Sequence, residues 1–247
     1  PLYRRFACGT ARLSESYLTV DWSNTPPDDS LSGEFAVWSA NLAWLADVMA
    51  LFDACADSLH IDVADGHFAP AMLFFPDRVA AVLKVSTKPI HVHLMVADSI
   101  LLPQIEQFCD AGSDLISIHV ENRAVADAAL NLLEGRNVAA GMVLKVETPV
   151  DAVSSFLPRL RFLTLLGTAI GVKGQGLDDK ATVRLGRAKS LIAACGAKHR
   201  IVLAADGGIR ELTVPLLRNA GAETVVLGSL AFGAANLAER MRWLYAL

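Results

Sequence analysis

Residues 90–120 read IHVHLMVADSILLPQIEQFCDAGSDLISIHV. An apolar β-type run at 90–96, a helical stretch at 98–111 and a second apolar run at 114–120 follow one another within this segment. Parallel strands need a crossover connection at every step, so a run, a helix and a run in succession form the building unit of a parallel sheet. The unit recurs along the chain. Apolar runs at 35–40, 58–63, 90–96, 114–120, 139–146, 161–166, 200–205 and 224–228 alternate with helical stretches such as 98–111, 122–135, 178–195 and 211–221. Eight such runs within about 210 residues predict an α/β fold, a (β/α)8 TIM barrel with an N-terminal extension. A doubly wound open sheet is the alternative. The polar residues gather at the C-terminal ends of the runs, the face on which such barrels carry their active sites.

Composition agrees with one large domain. The chain has 247 residues, 53% of them hydrophobic, and a mean hydropathy of +0.39, which predicts a large dry core. A net charge of −4 gives no reason to expect nucleic acid or an anionic membrane surface as a partner. No apolar stretch approaches the roughly 18 residues of a spanning helix, and no charged-then-apolar signal opens the sequence. Cys8, Cys55, Cys109 and Cys195 form no C-x-x-C pair and read as reduced cysteines, so the expected location is cytoplasmic. Residues 1–33 are polar, carry a turn signal at Pro26-Pro27-Asp28-Asp29 and read as an extension, with the barrel spanning 34–247.

Three of the runs end in residues able to hold a divalent metal: His60-Ile61-Asp62, His91-Val92-His93 and Asp206-Gly207-Gly208. Side chains two apart on a strand share a face, so His60 and Asp62 point together and His93 takes the matching place on the next run. Two imidazoles and two carboxylates at strand ends make a nitrogen and oxygen site suited to one divalent metal ion: Zn, Fe(II), Mn or Co. His91 shares the face of His93 one layer deeper, where packing is expected. Gly207-Gly208 and Gly228-Ser229 follow adjacent runs and lead toward helices, a setting in which backbone N–H groups cradle a phosphate.

The segments H-I-D-V-A-D-G-H-F-A-P (60–70), H-L-M-V (93–96) and A-D-G-G-I (205–209) resemble the signatures of the ribulose-phosphate 3-epimerase family. So do Ser39-Ala40-Asn41 after the first run and Leu227-Gly228-Ser229 after the last, and the likeness runs in order over about residues 35–240. The resemblance implies a barrel that inverts C3 of a ketose phosphate with one divalent metal. It implies His60, Asp62, His93 and Asp206 as metal ligands, with Asp62 and Asp206 also the acid/base pair. It further implies substrate contacts at Ser39 and Met95, a phosphate contact at Gly174, and a homo-oligomer. Removing a proton beside a ketone needs the developing oxyanion stabilised, which a divalent metal does as a Lewis acid. Inversion needs one carboxylate on each face of the enediolate.

Other roles are open. Ser39 is equally placed to cap a helix beginning near Asn41, His119 reads either as the orienter of a metal ligand or as a core histidine, and Asp65 and His67 read as turn residues. The family's loop after the sixth run reads close to M-T-V-N-P-G-F-G-G-Q, whereas this chain has Leu166-Gly167-Thr168-Ala169-Ile170-Gly171-Val172-Lys173-Gly174-Gln175. Lys173 brings a charge there, Ala64 and Leu166 stand where the family places methionines, and residues 71–75 depart from its pattern. These departures touch the substrate more than the chemistry. Epimerisation of D-ribulose 5-phosphate and D-xylulose 5-phosphate is the expected activity. The alternatives are another ketose phosphate such as allulose 6-phosphate, a Schiff-base aldolase using Lys145, and a non-catalytic sugar-phosphate binder.

Overall fold

The structure, a computed structural model, describes residues 30–45, 48, 49, 53 and 55–247. Cys8 and the turn expected at 26–29 lie outside the described residues. Eight strands close into a barrel in chain order: β1 (Ser32–Ala36), β2 (Ser58–Ala64), β3 (Ile90–Met95), β4 (Leu115–His119), β5 (Ala139–Leu144), β6 (Phe162–Leu166), β7 (Val202–Asp206) and β8 (Thr224–Leu227). Every neighbouring pair is parallel, and β8 pairs with β1 to complete the ring. The barrel expected from the alternating runs is the observed fold, and the open sheet is ruled out by the closed ring.

Helices pack onto this barrel along apolar stripes of helical spacing. Leu101, Ile105 and Phe108 are the buried residues of helix Asp98–Asp110, and Ala126, Ala129, Leu130 and Leu133 those of helix Ala126–Gly135. Burying a Leu, Ile or Phe side chain in this way contributes about 1.5–3 kcal/mol each.

Inside the barrel the register stacks residues in layers. Leu115, Phe162, Val202 and Ala204, with Ala139 against them, form a separate apolar cluster near the N-terminal ends of their strands. Above it the register sets Glu34 beside Ser58, His60 beside His91, and Asp62 beside His93. Polarity therefore rises along the strands toward the C-terminal mouth.

Two elements differ from the sequence expectation. The apolar pattern places the first strand at 35–40, but the strand is Ser32–Ala36 and the chain turns at Val37–Ser39 into a 3-10 helix closed by Ala40 N–H on Val37 O. Its polar start, Ser32-Gly33-Glu34, is buried because Glu34 finds partners on β2 and β3. Between β5 and β6 the connection is two short 3-10 helices, Val150–Val153 and Leu157–Arg159, in place of a crossover α-helix. Pro149 and Pro158 each stand at the start of one of these short helices, where a proline without its N–H costs least, and their spacing of nine residues breaks the connection into two pieces.

Candidate active site

β2 and β3 place His60, Asp62 and His93 at the barrel mouth, and the last residue of β7 adds Asp206. Each can offer one ligand atom such that all four atoms lie within 4.8 Å of one another. His93 Nδ1 stands 3.2 Å from Asp62 Oδ1 and 4.0 Å from Asp206 Oδ2, and His60 Nε2 stands 3.3 Å from Asp62 Oδ1. That His60 nitrogen is buried and makes no hydrogen bond. A buried polar atom left without a partner costs free energy, so its presence among two carboxylates and a second imidazole fits a divalent cation. The four residues form a candidate metal-binding site.

The electrostatics separate the two carboxylates. Burial pushes Asp62 up, but His60 and His93 more than reverse this and hold it well below the usual carboxylate range. For Asp206 burial prevails and its pKa is raised. Burial alone would lower His60, yet Asp62 and Glu34 together hold it well above its ordinary value. Two neighbouring groups whose environments push their proton affinities apart are how one site carries both a base and an acid.

Behind His93 runs a chain of contacts to the barrel rim. His93 Nε2 lies 2.8 Å from His119 Nε2, and His119 Nδ1 lies 3.0 Å from Glu121 Oε2. Glu121 also accepts from the Lys145 backbone N–H at 3.1 Å and from the Thr148 hydroxyl. His119 is fully buried and hydrogen-bonded, as a core histidine would be, and it also contacts a candidate ligand, so both readings of it fit. Burial depresses its pKa to about 4, and Glu121 is held at about 2 because hydrogen bonds from His119 and Thr148 outweigh its burial.

Above the cluster opens a cavity of about 370 Å3, lined by Asp62, His93 and Asp206 at its floor and by Ser39, Met95, Gly174, Gly207, Gly208, Gly228 and Ser229 around it. All the residues expected to touch substrate or phosphate thus face one space, of a size usual for a small-molecule site. Gly207 and Gly208 have φ of +87° and +71°, and a Cβ on them would come within 2.3 Å of Thr168 Oγ1 and 2.8 Å of Leu177 Cα. Ser39 is not the helix cap; Asn41 caps Leu42–Trp44 by accepting from the Ala43 N–H, which leaves the serine to the cavity. Asp65 accepts from the His67, Phe68 and Ala97 N–H groups, so it builds the turn after β2.

Residues 34–232 match the Ribulose-phosphate 3 epimerase family. The chain belongs to the ribulose-phosphate 3-epimerase family. A ribulose-phosphate 3-epimerase of Chlamydia pneumoniae is 30% identical over 204 residues, covering 82% of this chain and 88% of its own. One of Bacillus subtilis is 33% identical over 178 residues, covering 72% of this chain and 81% of its own. As a member of the ribulose-phosphate 3-epimerase family the protein is an isomerase, an epimerase acting on carbohydrates. Among solved structures, the orotidine 5'-phosphate decarboxylase of Pyrococcus horikoshii superposes with a TM-score of 0.60 at 13% identity, covering 86% of this chain and 97% of its own. A 3-hexulose-6-phosphate synthase gives 0.60 at 18% identity, covering 88% of this chain and 98% of its own. At such identities the likeness is one of fold alone. No helix among the described residues is long and apolar enough to cross a membrane.

Two parts of the site, Glu34 and Arg210, escape a reading of the sequence. Glu34 lies just before the apolar run at 35–40 and enters the barrel beneath His60. Arg210 lines the cavity beside Gly207 and Gly208. Lys173 reaches across the mouth, donating to Trp38 O at 2.8 Å with its ammonium 4.4 Å from the indole ring centre. Lys145 is not among the residues that line the cavity; its ammonium rests 3.9 Å from the centre of the Phe68 ring.

Proposed function

We propose that this protein epimerises a ketose phosphate at C3, with D-ribulose 5-phosphate and D-xylulose 5-phosphate as the reference pair. The observation that carries this is the pairing of Asp62 and Asp206 at the cavity floor with opposite proton affinities. Asp62, held ionised, takes the C3 proton. Asp206, whose proton affinity burial raises, is the partner that returns a proton to the opposite face of the enediolate, and the roles exchange when the reaction runs backward. A divalent cation, Zn, Fe(II), Mn or Co, held by His60, Asp62, His93 and Asp206 supplies Lewis-acid stabilisation of the charge that develops on the substrate oxygens. The backbone N–H groups around Gly174, Gly207, Gly208 and Gly228, with Ser229, receive the phosphate at the cavity rim, and Ser39 and Met95 shape the space between.

A six-carbon ketose phosphate such as allulose 6-phosphate is the second reading. It rests on Lys173 and Leu166, departures from the family's pattern that both line the cavity and so bear on which ketose phosphate fits. A Schiff-base aldolase is not supported, because Lys145 stands outside that lining. The test is conversion of each ketose phosphate by the metal-loaded protein, followed by 13C NMR. Production of xylulose 5-phosphate from ribulose 5-phosphate, lost on chelation and restored by metal, is the expected result. Turnover of the six-carbon substrate alone would select the second reading, and no turnover of either would remove both.

A further inference from the structure

Beneath the candidate metal site lies a second cluster that the chemistry above does not use. Glu34 enters the barrel from β1 and is 1% exposed. Its Oε2 lies 3.0 Å from His60 Nδ1 and 2.9 Å from His91 Nδ1, while its Oε1 accepts from the Ser58 hydroxyl at 3.1 Å. His91 Nε2 in turn lies 2.7 Å from Ser117 Oγ. Gly141 leaves the room for this, since a Cβ there would fall 2.0 Å from that hydroxyl oxygen.

The protons follow from the donor inventory. An ionised carboxylate only accepts, so both imidazoles must carry a proton on the Nδ1 that faces Glu34. A neutral His91 then accepts at Nε2 from the Ser117 hydroxyl. With its Nδ1–H held by Glu34, His60 has only Nε2 from which to release a proton to an arriving cation, and that is the buried atom without a hydrogen bond that stands beside Asp62 in the candidate metal site.

We propose that Glu34 is a positioning residue: it holds His60 in the Nδ1–H tautomer and in a fixed ring orientation, so that the Nε2 lone pair is presented to the cation. This rests on the metal reading given under Proposed function. Glu34, His60 and His91 could themselves surround an ion. Each of those ligand atoms already has a hydrogen-bond partner, however, and the three residues are 0–1% exposed, so they are occupied as a proton-holding network. Glutamine at position 34 keeps the volume but turns an amide NH2 toward one of the two imidazoles. Facing His60, that donor draws the lone pair to Nδ1 and the proton to Nε2, where it obstructs ligation.

The test uses the full chain and Zn(II) as the probe. Zn(II) affinity and stoichiometry are measured by chelator competition for the wild type and Glu34→Gln, and the histidine 15N spectrum is recorded for the Zn(II)-loaded wild type. The expected results are one Zn(II) per chain, His60 protonated at Nδ1 and ligated at Nε2, and affinity weakened by about 10–100-fold in Glu34→Gln. Unchanged affinity in a folded Glu34→Gln protein would overturn the proposal while leaving the metal reading intact. So would a His60 Nδ1 without a proton in the wild-type spectrum, a readout that does not depend on the variant folding. Two Zn(II) per chain, with one lost in Glu34→Gln, would overturn it in favour of a second ion. A wild type that binds no Zn(II) would overturn it together with the metal reading.

Discussion

Asp62 and Asp206 bring carboxylate oxygens within 4.8 Å of each other at the barrel mouth, and their surroundings leave them with opposite proton affinities. Burial acts on both, but only Asp62 has two imidazoles close enough to reverse it. If they form one acid/base unit, Asp62→Asn and Asp206→Asn should each lower kcat by about 10²–10⁴, with smaller changes in KM. The double variant should be little worse than the poorer single one, because groups that act as a unit are not additive. Steady-state kinetics with ribulose 5-phosphate checks this, and additive losses would mean independent roles.

Gly208 has φ +71° and lies against the Leu177 backbone. Gly208→Ala should cost about 1–2 kcal/mol from the left-handed conformation alone, with more from the contact at Leu177. It should also disturb the N–H groups assigned to phosphate. Losing one charge-assisted hydrogen bond corresponds to a KM raised about tenfold or more for a phosphorylated ketose. Urea unfolding and KM are the two measurements, and an unchanged KM would place the phosphate elsewhere.

Lys173 ties the loop after β6 to Trp38 through a hydrogen bond and a cation–ring contact. Such an exposed contact is worth about 0.5–1 kcal/mol. Lys173→Met should therefore leave the unfolding midpoint nearly unchanged and raise KM several-fold, as the loop loses its tie and the mouth its cation. A large loss of stability with KM intact would assign the lysine a purely structural part.

His119 stays neutral in the folded protein down to about 4, against an ordinary value of 6.5. Between those values the unfolded chain binds the extra proton. Stability should therefore fall as pH drops from about 6.5 to about 4, and this contribution should be level outside that window. Glu121, held at about 2 against 4.5, adds stability above 4.5 that is lost as pH falls toward 2. Thermal unfolding of metal-free protein between pH 7.5 and 4 should show the first slope, and His119→Gln should flatten it. An equal slope in the variant would assign the acid sensitivity to other groups.

The barrel is legible in the sequence because buried parallel strands write short apolar runs and crossover helices write longer ones. His60, Asp62 and His93 are legible for a related reason: a spacing of two on a strand is enough to fix a shared face. Glu34 is not. Its partners are 26 and 57 residues away, so a charged residue at the edge of a run reads as the end of the strand. The tie between Lys173 and Trp38 spans 135 residues and leaves no local trace. The absence of an α-helix between β5 and β6 is signalled only by Pro149 and Pro158, a local cue that regular alternation of runs and helices obscures.

Two opposed aspartates should exchange a proton with substrate at C3, and incubation with D-ribulose 5-phosphate in D2O tests this most directly. NMR of the metal-loaded wild type should show deuterium entering at C3 as xylulose 5-phosphate appears, and Asp206→Asn should form no epimer. Epimer formed without solvent deuterium, or formed undiminished by Asp206→Asn, would contradict the account.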